Sequence, residues 1–232
     1  GPVTAHTSGG SVEVSNIPRE VTLQTGGGAI KIHGQTGRIN AETAGGNIVV
    51  ASSQGALLQS GGGSIQVTQC GSQLTATTSG GSIEVGQVKG AAILQTGGGN
   101  IRLGGAGGLV TATTTAGAIE LFKIMEGVRA ETGNGAITAE LLGSAMKESL
   151  LQSSQGDIVV YLAPQTRFTV HASIQMANGH RIRSEFAELK VQSEGNEWGP
   201  RNVYAEGTLN GGGPVLKVST VSGNIEFRRA GK

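Results

Sequence analysis

Apolar and polar residues alternate with a period of two through most of the chain, in a phrase that repeats. In Val21–Ile32 (VTLQTGGGAIKI), two short alternating runs flank a glycine turn. In the first run, Leu23 and Thr25 fall on one side and Gln24 on the other. Because successive side chains of a strand point to opposite faces, this pattern predicts β-strands, and no helix before about residue 140.

The phrase recurs with a nearly constant spacing. The isoleucine that follows each turn returns every 18 residues, once after 17 and finally after 21, at Ile30, Ile48, Ile65, Ile83, Ile101, Ile119, Ile137 and Ile158. Residues 3–14 form an opening copy, and residues 214–227 restore the phrase near the end. One such unit cannot bury its apolar face alone, whereas units stacked about 4.8 Å apart can. We therefore predict an all-β, single-stranded β-helix (a β-solenoid) of about eleven coils.

Equivalent positions of successive copies form columns. The predicted inner column alternates leucine and alanine, which suits a close-packed interior: Leu23, Ala41, Leu58, Ala76, Leu94, Ala112, Ala130 and Leu151. A hydroxyl column lies next to the turn: Thr25, Thr43, Ser60, Thr78, Thr96, Thr114, Thr132 and Ser153. We interpret this column as a structural ladder, with hydroxyls bonded to one another and to turn amides, and not as a set of nucleophiles.

A glycine occupies the position two residues before the valine or isoleucine slot of each copy. These glycines are Gly10, Gly28, Gly46, Gly63, Gly81, Gly99, Gly117, Gly135 and Gly156. The expected reason is a positive φ at the corner, which glycine adopts without steric cost. A phosphate-binding loop is the alternative, but it needs a helix after the glycines, and here a strand follows.

The repeat loosens in the last third of the chain. Residues 143–149 are an insertion that predicts a short helical turn or a bulge. Residues 161–186 still alternate, with Phe168, Val170 and Ala172 on one face, but lack the glycine turn. We predict one domain over residues 1–232, with regular coils over 3–160 and irregular coils over 161–232. Residues 187–213 are expected to fold over the terminal coil as a cap, or to stand away from it as a binding arm.

Composition and charge narrow the function classes. A formal net charge of +1 gives no polybasic footprint for nucleic acid or an anionic membrane. The single cysteine, Cys70, excludes an internal disulfide framework and a cysteine-based metal site. No apolar run approaches the roughly 20 residues of a membrane span. No signal peptide is visible, but Gly1-Pro2 looks like the remnant of a protease site, which fits a native leader that has been trimmed.

The chain resembles the bacterial adhesin-like family, whose members carry tandem T-x-x-G-x-I-x-V phrases. The closing segment Gly207–Pro214 (GTLNGGGP), followed by Leu216-Lys217-Val218 and by Ser222-Gly223-Asn224-Ile225, carries the most specific part of the likeness. The resemblance implies a single-stranded β-helix outside the cytoplasm, on the cell envelope or secreted. It also implies a right-handed coil, although 18 residues per coil suits a left-handed hexapeptide helix as well. It brings no catalytic residues.

Candidate chemistry is sparse. Asp157 is the only aspartate, which argues against calcium-binding β-rolls and against pectinase-type sites built on clustered aspartates. Glu84 and Glu120 occupy equivalent outward slots two coils apart, about 10 Å from each other, near the separation of an inverting glycosidase pair. Arg102 lies between them, so a self-neutralising surface ladder is the favoured interpretation. No two histidines have metal-ligand spacing, and we predict no metal, cofactor or catalytic residues.

Ligand contacts are expected in the aromatic C-terminal third, because carbohydrate recognition commonly uses exposed aromatic rings. The candidates are Tyr161, Trp198 and Tyr204, with His180, Arg181 and Arg183 as polar neighbours. Each can equally serve to pack the cap.

The sequence favours a non-enzymatic, extracytoplasmic β-solenoid of the bacterial envelope that acts as an adhesin-like structural or surface-interaction protein. Its partner would be a cell-surface polysaccharide or a protein. The alternatives are a carbohydrate-active β-helix enzyme or carbohydrate-binding module, and a self-assembling β-helix filament.

Overall fold

The computed structural model describes residues 1–194 and 202–231, and within them every regular element is a β-strand. Through residue 162, each strand pairs in parallel with its counterpart in the next copy of the phrase, as in Val110↔Ala92 and Val110↔Val128. The predicted β-solenoid and the predicted absence of helix in the first 140 residues are therefore confirmed for the described residues. Nine coils stack in chain order from residue 3 to residue 162.

The strands form two columns that run along the solenoid axis. The first column contains β1 (Val3–Thr7), β3 (Val21–Thr25), the ends of β4 (Ile30–Thr43) and β5 (Ile48–Ser60), β7 (Leu74–Thr78), β9 (Ala92–Thr96), β11 (Val110–Ala116), β13 (Val128–Asn134) and β15 (Ser149–Gln155). The second column contains β2 (Val12–Ser15), the beginnings of β4 and β5, β6 (Ile65–Cys70), β8 (Ile83–Val88), β10 (Ile101–Ala106), β12 (Ile119–Ile124), β14 (Ile137–Leu141) and β16 (Ile158–Leu162).

One continuous apolar interior runs between the two columns. The alternating leucine and alanine residues and the isoleucines of the repeat are all buried, with at most 1% of each side chain exposed. The partner residues in register are chemically alike, as in Ile83↔Ile101↔Ile119, so each layer extends the same interior. The predicted inward columns are confirmed.

The glycines of the turn are required for a reason other than the predicted one. From Gly28 to Gly117 none has a positive φ, so the prediction of left-handed corners is wrong there. Instead, adjacent coils approach so closely that a Cβ on Gly99 would lie 2.1 Å from the carbonyl oxygen of Gly81. The same clash, at 2.0–2.3 Å, would occur at each of these glycines. Only a residue without a side chain fits between the stacked turns.

The insertion at residues 143–149 forms an irregular loop without a helical turn. Met146 is buried in this loop, and a Cβ on Gly143 would lie 1.8 Å from the carbonyl oxygen of Met125. The loop therefore bulges out of the coil while its methionine returns to the interior.

The last third of the chain does not stack in sequence order. Its strands are β17 (Phe168–Ile174), β18 (Ile182–Ser184), β19 (Lys190–Glu194), β20 (Asn202–Leu209), β21 (Val215–Ser222) and β22 (Ile225–Arg229). Strand β21 pairs in parallel with both β15 and β17, and β22 pairs with both β16 and β18. The final phrase is thus inserted beneath the coil that precedes it in the chain, and the expectation that successive segments lie atop one another is wrong here.

The two ends of the stack differ. At the C-terminal end, β20 pairs antiparallel with β17, and β19 pairs antiparallel with β20. Residues Phe168, Val170 and Ala172 of β17 are buried, as the alternation predicts. At the N-terminal end, Val3, Ala5 and the other apolar residues of the first coil are only half-buried.

Candidate functional site

The hydroxyl column is fully engaged in hydrogen bonds between coils. Thr96 Oγ1 donates to the Gly81 carbonyl of the preceding coil at 2.8 Å and accepts from the Gly99 amide of its own turn at 3.2 Å. The bond to the preceding glycine carbonyl recurs, at 2.8–3.0 Å, from Thr25 through Ser153. The structural interpretation is confirmed, with glycine carbonyls rather than other hydroxyls as acceptors. A hydroxyl that donates its proton to a carbonyl in this way is used in the contact between two coils.

A second ladder uses the only aspartate of the chain. Asp157 Oδ1 accepts a hydrogen bond from the backbone amide of Asn224 at 2.6 Å. Asn224 Oδ1 in turn accepts one from the backbone amide of Arg181 at 3.0 Å. Asn47 and Asn100 make the same contact with the next coil, at 2.8 Å each. The carboxylate of Asp157 therefore joins the final phrase to its neighbour.

Tyr161 and Arg183 lie on the outer face of the second column. Tyr161 is in register with Arg228, and the Arg183 Nη1 is 3.5 Å from the Glu226 carboxylate. Arg228 binds the other oxygen of Glu226, and this hydrogen bond raises the pKa of Arg228 above its ordinary value. The carboxylate of Glu226 is therefore paired with the guanidinium groups of both Arg183 and Arg228.

The other predicted ligand contacts lie elsewhere. His180 is half-buried in the turn between β17 and β18, and its Nε2 is 3.2 Å from Ser222 Oγ. Together with Arg181 it lines a pocket of about 460 Å³. Tyr204 lies on the outer face of the first column, in register with Ser173. Trp198 falls outside the described residues. The described candidates are thus spread over both columns and the turn between them.

The carboxylates considered for acid–base chemistry lie in one surface row with Arg102, which forms an ion pair with one of them. Glu84, Arg102 and Glu120 are in register on β8, β10 and β12. Arg102 Nη1 is 2.7 Å from Glu120 Oε2, and its guanidinium lies 5.5 Å from the centroid of the Phe122 ring. Glu120 is therefore paired with a cation.

Within residues 1–194 and 202–231, no three histidine, cysteine, aspartate or glutamate side chains come together as a metal site requires. The same part of the chain contains no helix with the length and apolar character of a membrane span.

Sequence reasoning missed a concave surface along one edge of the first column. We call its central line the edge row: Asn40, Leu57, Thr75, Ile93, Thr111, Arg129, Leu150 and Lys217, each in register with the next. Two depressions of about 590 and about 500 Å³ lie on this row. The signal that could have found it is the set of outward positions that follow a glycine-containing corner, such as Gly55, Gly90 and Gly108.

The chain matches no family model, no curated protein and no solved structure. The resemblance to adhesin-like proteins stays a prediction from the repeated phrase and the closing segment.

Proposed function

We propose that this chain is a non-enzymatic β-solenoid that works outside the cytoplasm, on the bacterial cell envelope, as an adhesin-like structural or surface-interaction protein. The observation that carries the proposal is the use of reactive groups in coil-to-coil contacts. The hydroxyls of the repeat donate to glycine carbonyls, and Asp157 accepts from the Asn224 amide. Because these side chains are used in contacts between coils, a partner would be contacted by the side chains on the outer faces.

The charge distribution supports a polymeric or protein partner of the cell surface. Charged side chains on the outer faces pair with one another, as Arg102 does with Glu120 and Arg129 with Glu131. A surface neutralised in this way lacks the positive field that draws nucleic acid. The extracytoplasmic location is supported by the family resemblance.

A second candidate function, carbohydrate binding, is favoured by the concave edge row. A shallow surface lined by amides, hydroxyls and aliphatic side chains provides both hydrogen-bonding groups and apolar contacts, as ligand sites usually do.

Two measurements on the whole chain test the proposal. The first follows the release of reducing ends from a panel of bacterial and plant polysaccharides, and no release is expected. The second measures retention of fluorescently labelled protein on intact bacterial cells, where saturable binding is expected. Reproducible depolymerisation would show that the chain is an enzyme, and the absence of saturable retention would argue against a surface-interaction role.

A further inference from the structure

Two depressions follow one another along the edge row, parallel to the solenoid axis, and we call the two together the groove. The first is lined by Asn40, Leu57 and Thr75, and the second by Thr111 and Leu150 among others. Ile93 stands between them, in register with Thr75 on one side and Thr111 on the other. From Asn40 to Lys217 the row crosses seven strand spacings of about 4.8 Å, so the two depressions together extend over about 34 Å. The shape of the groove suits a linear polymer lying along the axis.

Apolar and polar steps alternate along the first part of this groove. The residues follow one another in the order Asn40, Leu57, Thr75, Ile93 and Thr111, so each of the two aliphatic residues has a polar residue on both sides. The repeat is therefore two layers, or about 10 Å.

Three of the six large apolar side chains that are exposed in the described residues lie here. Leu57, Leu109 and Val215 are 39%, 42% and 38% exposed, and all three line the groove. Each can cover an apolar face of a ligand, while the groups between them hydrogen-bond.

The hydrogen-bonding groups of the groove suit a neutral ligand. In the first depression they include the amides of Asn40, Gln54 and Gln73, which donate and accept, beside the oppositely charged Glu20 and Arg38. The second depression likewise mixes signs, since Arg129, Glu148 and Lys217 line it together. A polyanion would meet no uniform positive field in either part.

An extended peptide fits the groove less well than a glycan. The groove lies on the outward side of strands whose backbone groups already pair with both neighbours, as in Val110 with Ala92 and Val128. A peptide backbone placed there would find no sheet edge to extend, and its amides would depend on side chains and water. Sugar hydroxyls can use the side-chain amides and hydroxyls directly.

We propose that the edge row is a binding groove for a neutral, linear polysaccharide that lies along the solenoid axis. This proposal rests on the proposed function, because it names the cell-surface polymer that the protein would contact.

The test uses the whole chain and affinity electrophoresis, followed by calorimetry, with soluble linear β-glucan and mannan as neutral probes. Polygalacturonate and an alternating valine–threonine peptide serve as an acidic and a peptide probe. Wild type is expected to bind at least one neutral probe, with an affinity that rises with oligosaccharide length until the chain spans the groove.

Matched variants locate the site. The double variant Leu57→Thr/Ile93→Thr removes both apolar steps but keeps β-propensity, and Gln73→Ala removes an exposed amide. Their controls are Val49→Thr and Gln66→Ala, which make the same kinds of change on the outer face of the second column. The groove variants should weaken binding at least about tenfold and the controls less than about twofold.

Three results would overturn the proposal: equal binding by groove and control variants, preference for polygalacturonate or the peptide, or no binding of any neutral probe. Failure of the proposed function would look different, as release of reducing ends from a probe or loss of saturable retention on cells. Thermal melting of each variant shows that it is folded. If the double variant does not fold, Gln73→Ala against Gln66→Ala decides the question.

Discussion

Replacing Gly99 with alanine should destabilise the solenoid strongly, although glycine-to-alanine changes in β-structure are often harmless. The added Cβ would lie 2.1 Å from the Gly81 carbonyl oxygen and 2.7 Å from the Ser82 Cα. Because backbone atoms cannot swing aside as a flexible side chain does, the two coils would have to separate by roughly 1 Å to restore ordinary contact.

The cost follows from the packing and the hydrogen bonds at this turn. Overfilling a packed site costs about 1–3 kcal/mol. Separation would also break the bonds from Thr96 to Gly81 (2.8 Å) and from Thr114 to Gly99 (2.9 Å), at about 1 kcal/mol each. Gly99→Ala should therefore lower the free energy of unfolding by about 3–5 kcal/mol and the melting temperature by about 6–20 °C.

The adjacent glycine provides a matched control. A Cβ on Gly98 would have its nearest neighbour at 3.9 Å, and its φ is not in the left-handed region. Gly98→Ala should be neutral or stabilise by up to about 1 kcal/mol through the unfolded state. Calorimetry and urea unfolding of both variants check this. Equal stability of Gly98→Ala and Gly99→Ala would refute the argument from close approach.

Further predictions concern the interior, the ladder, the inserted coil and the surface. Ile101→Lys places an ammonium group in a fully buried column and should cost several kcal/mol; unchanged thermal unfolding would show that this column is not interior. Thr96→Val should cost about 1–3 kcal/mol because it leaves the half-buried Gly81 carbonyl without its donor, whereas Thr96→Ser should stay near wild type; equal melting temperatures of the two would contradict this. Phe227→Ala should cost about 3–5 kcal/mol and accelerate amide exchange in both β16 and β18, between which its strand lies; faster exchange on one side only would contradict the insertion. Arg102→Ala should cost less than about 1 kcal/mol in urea unfolding, because its ion pair is exposed; a loss of several kcal/mol would mean that this ladder supports the fold.

The nine coils that stack in chain order could be predicted because their spacing and their alternation agree. A constant phase places each isoleucine over the last, and the alternation of Leu23 with Ala41 identifies the inward face. The reason for the glycines could not be found this way. A sequence shows that Gly99 recurs, but the distance to the Gly81 carbonyl exists only once the coils are stacked.

The place of the final phrase could not be predicted either, because its bonds would be the same on any coil. Thr220 donates to Gly156 at 3.1 Å as Thr96 does to Gly81. Each coil built from the repeated phrase offers such a glycine carbonyl, so the phrase itself does not determine which of these coils it will join. The connection made by residues 163–167 leaves one layer free, and only the folded chain shows this.

The candidate binding residues were chosen because they are aromatic or polar. The kind of residue does not show in which strand column it lies. The alternation predicts that the side chains of Arg183 and Tyr204 point outward, but it does not show which of the two strand columns each residue belongs to. The edge row depends on register across eight coils, as in Leu57↔Thr75↔Ile93, which no single phrase contains.

The position of residues 215–229 within the stack has a consequence for synthesis. A ribosome releases these residues after the strands on both sides of them, β15 and β16 as well as β17 and β18, have emerged, so the stack cannot be completed by simple addition of coils in chain order. Before residues 215–229 are released, β15 and β17 lack the strand that pairs with both of them in the folded structure. Insertion of β21 and β22 supplies the pairings on both sides, so this step of folding occurs inside the stack and not at one of its ends.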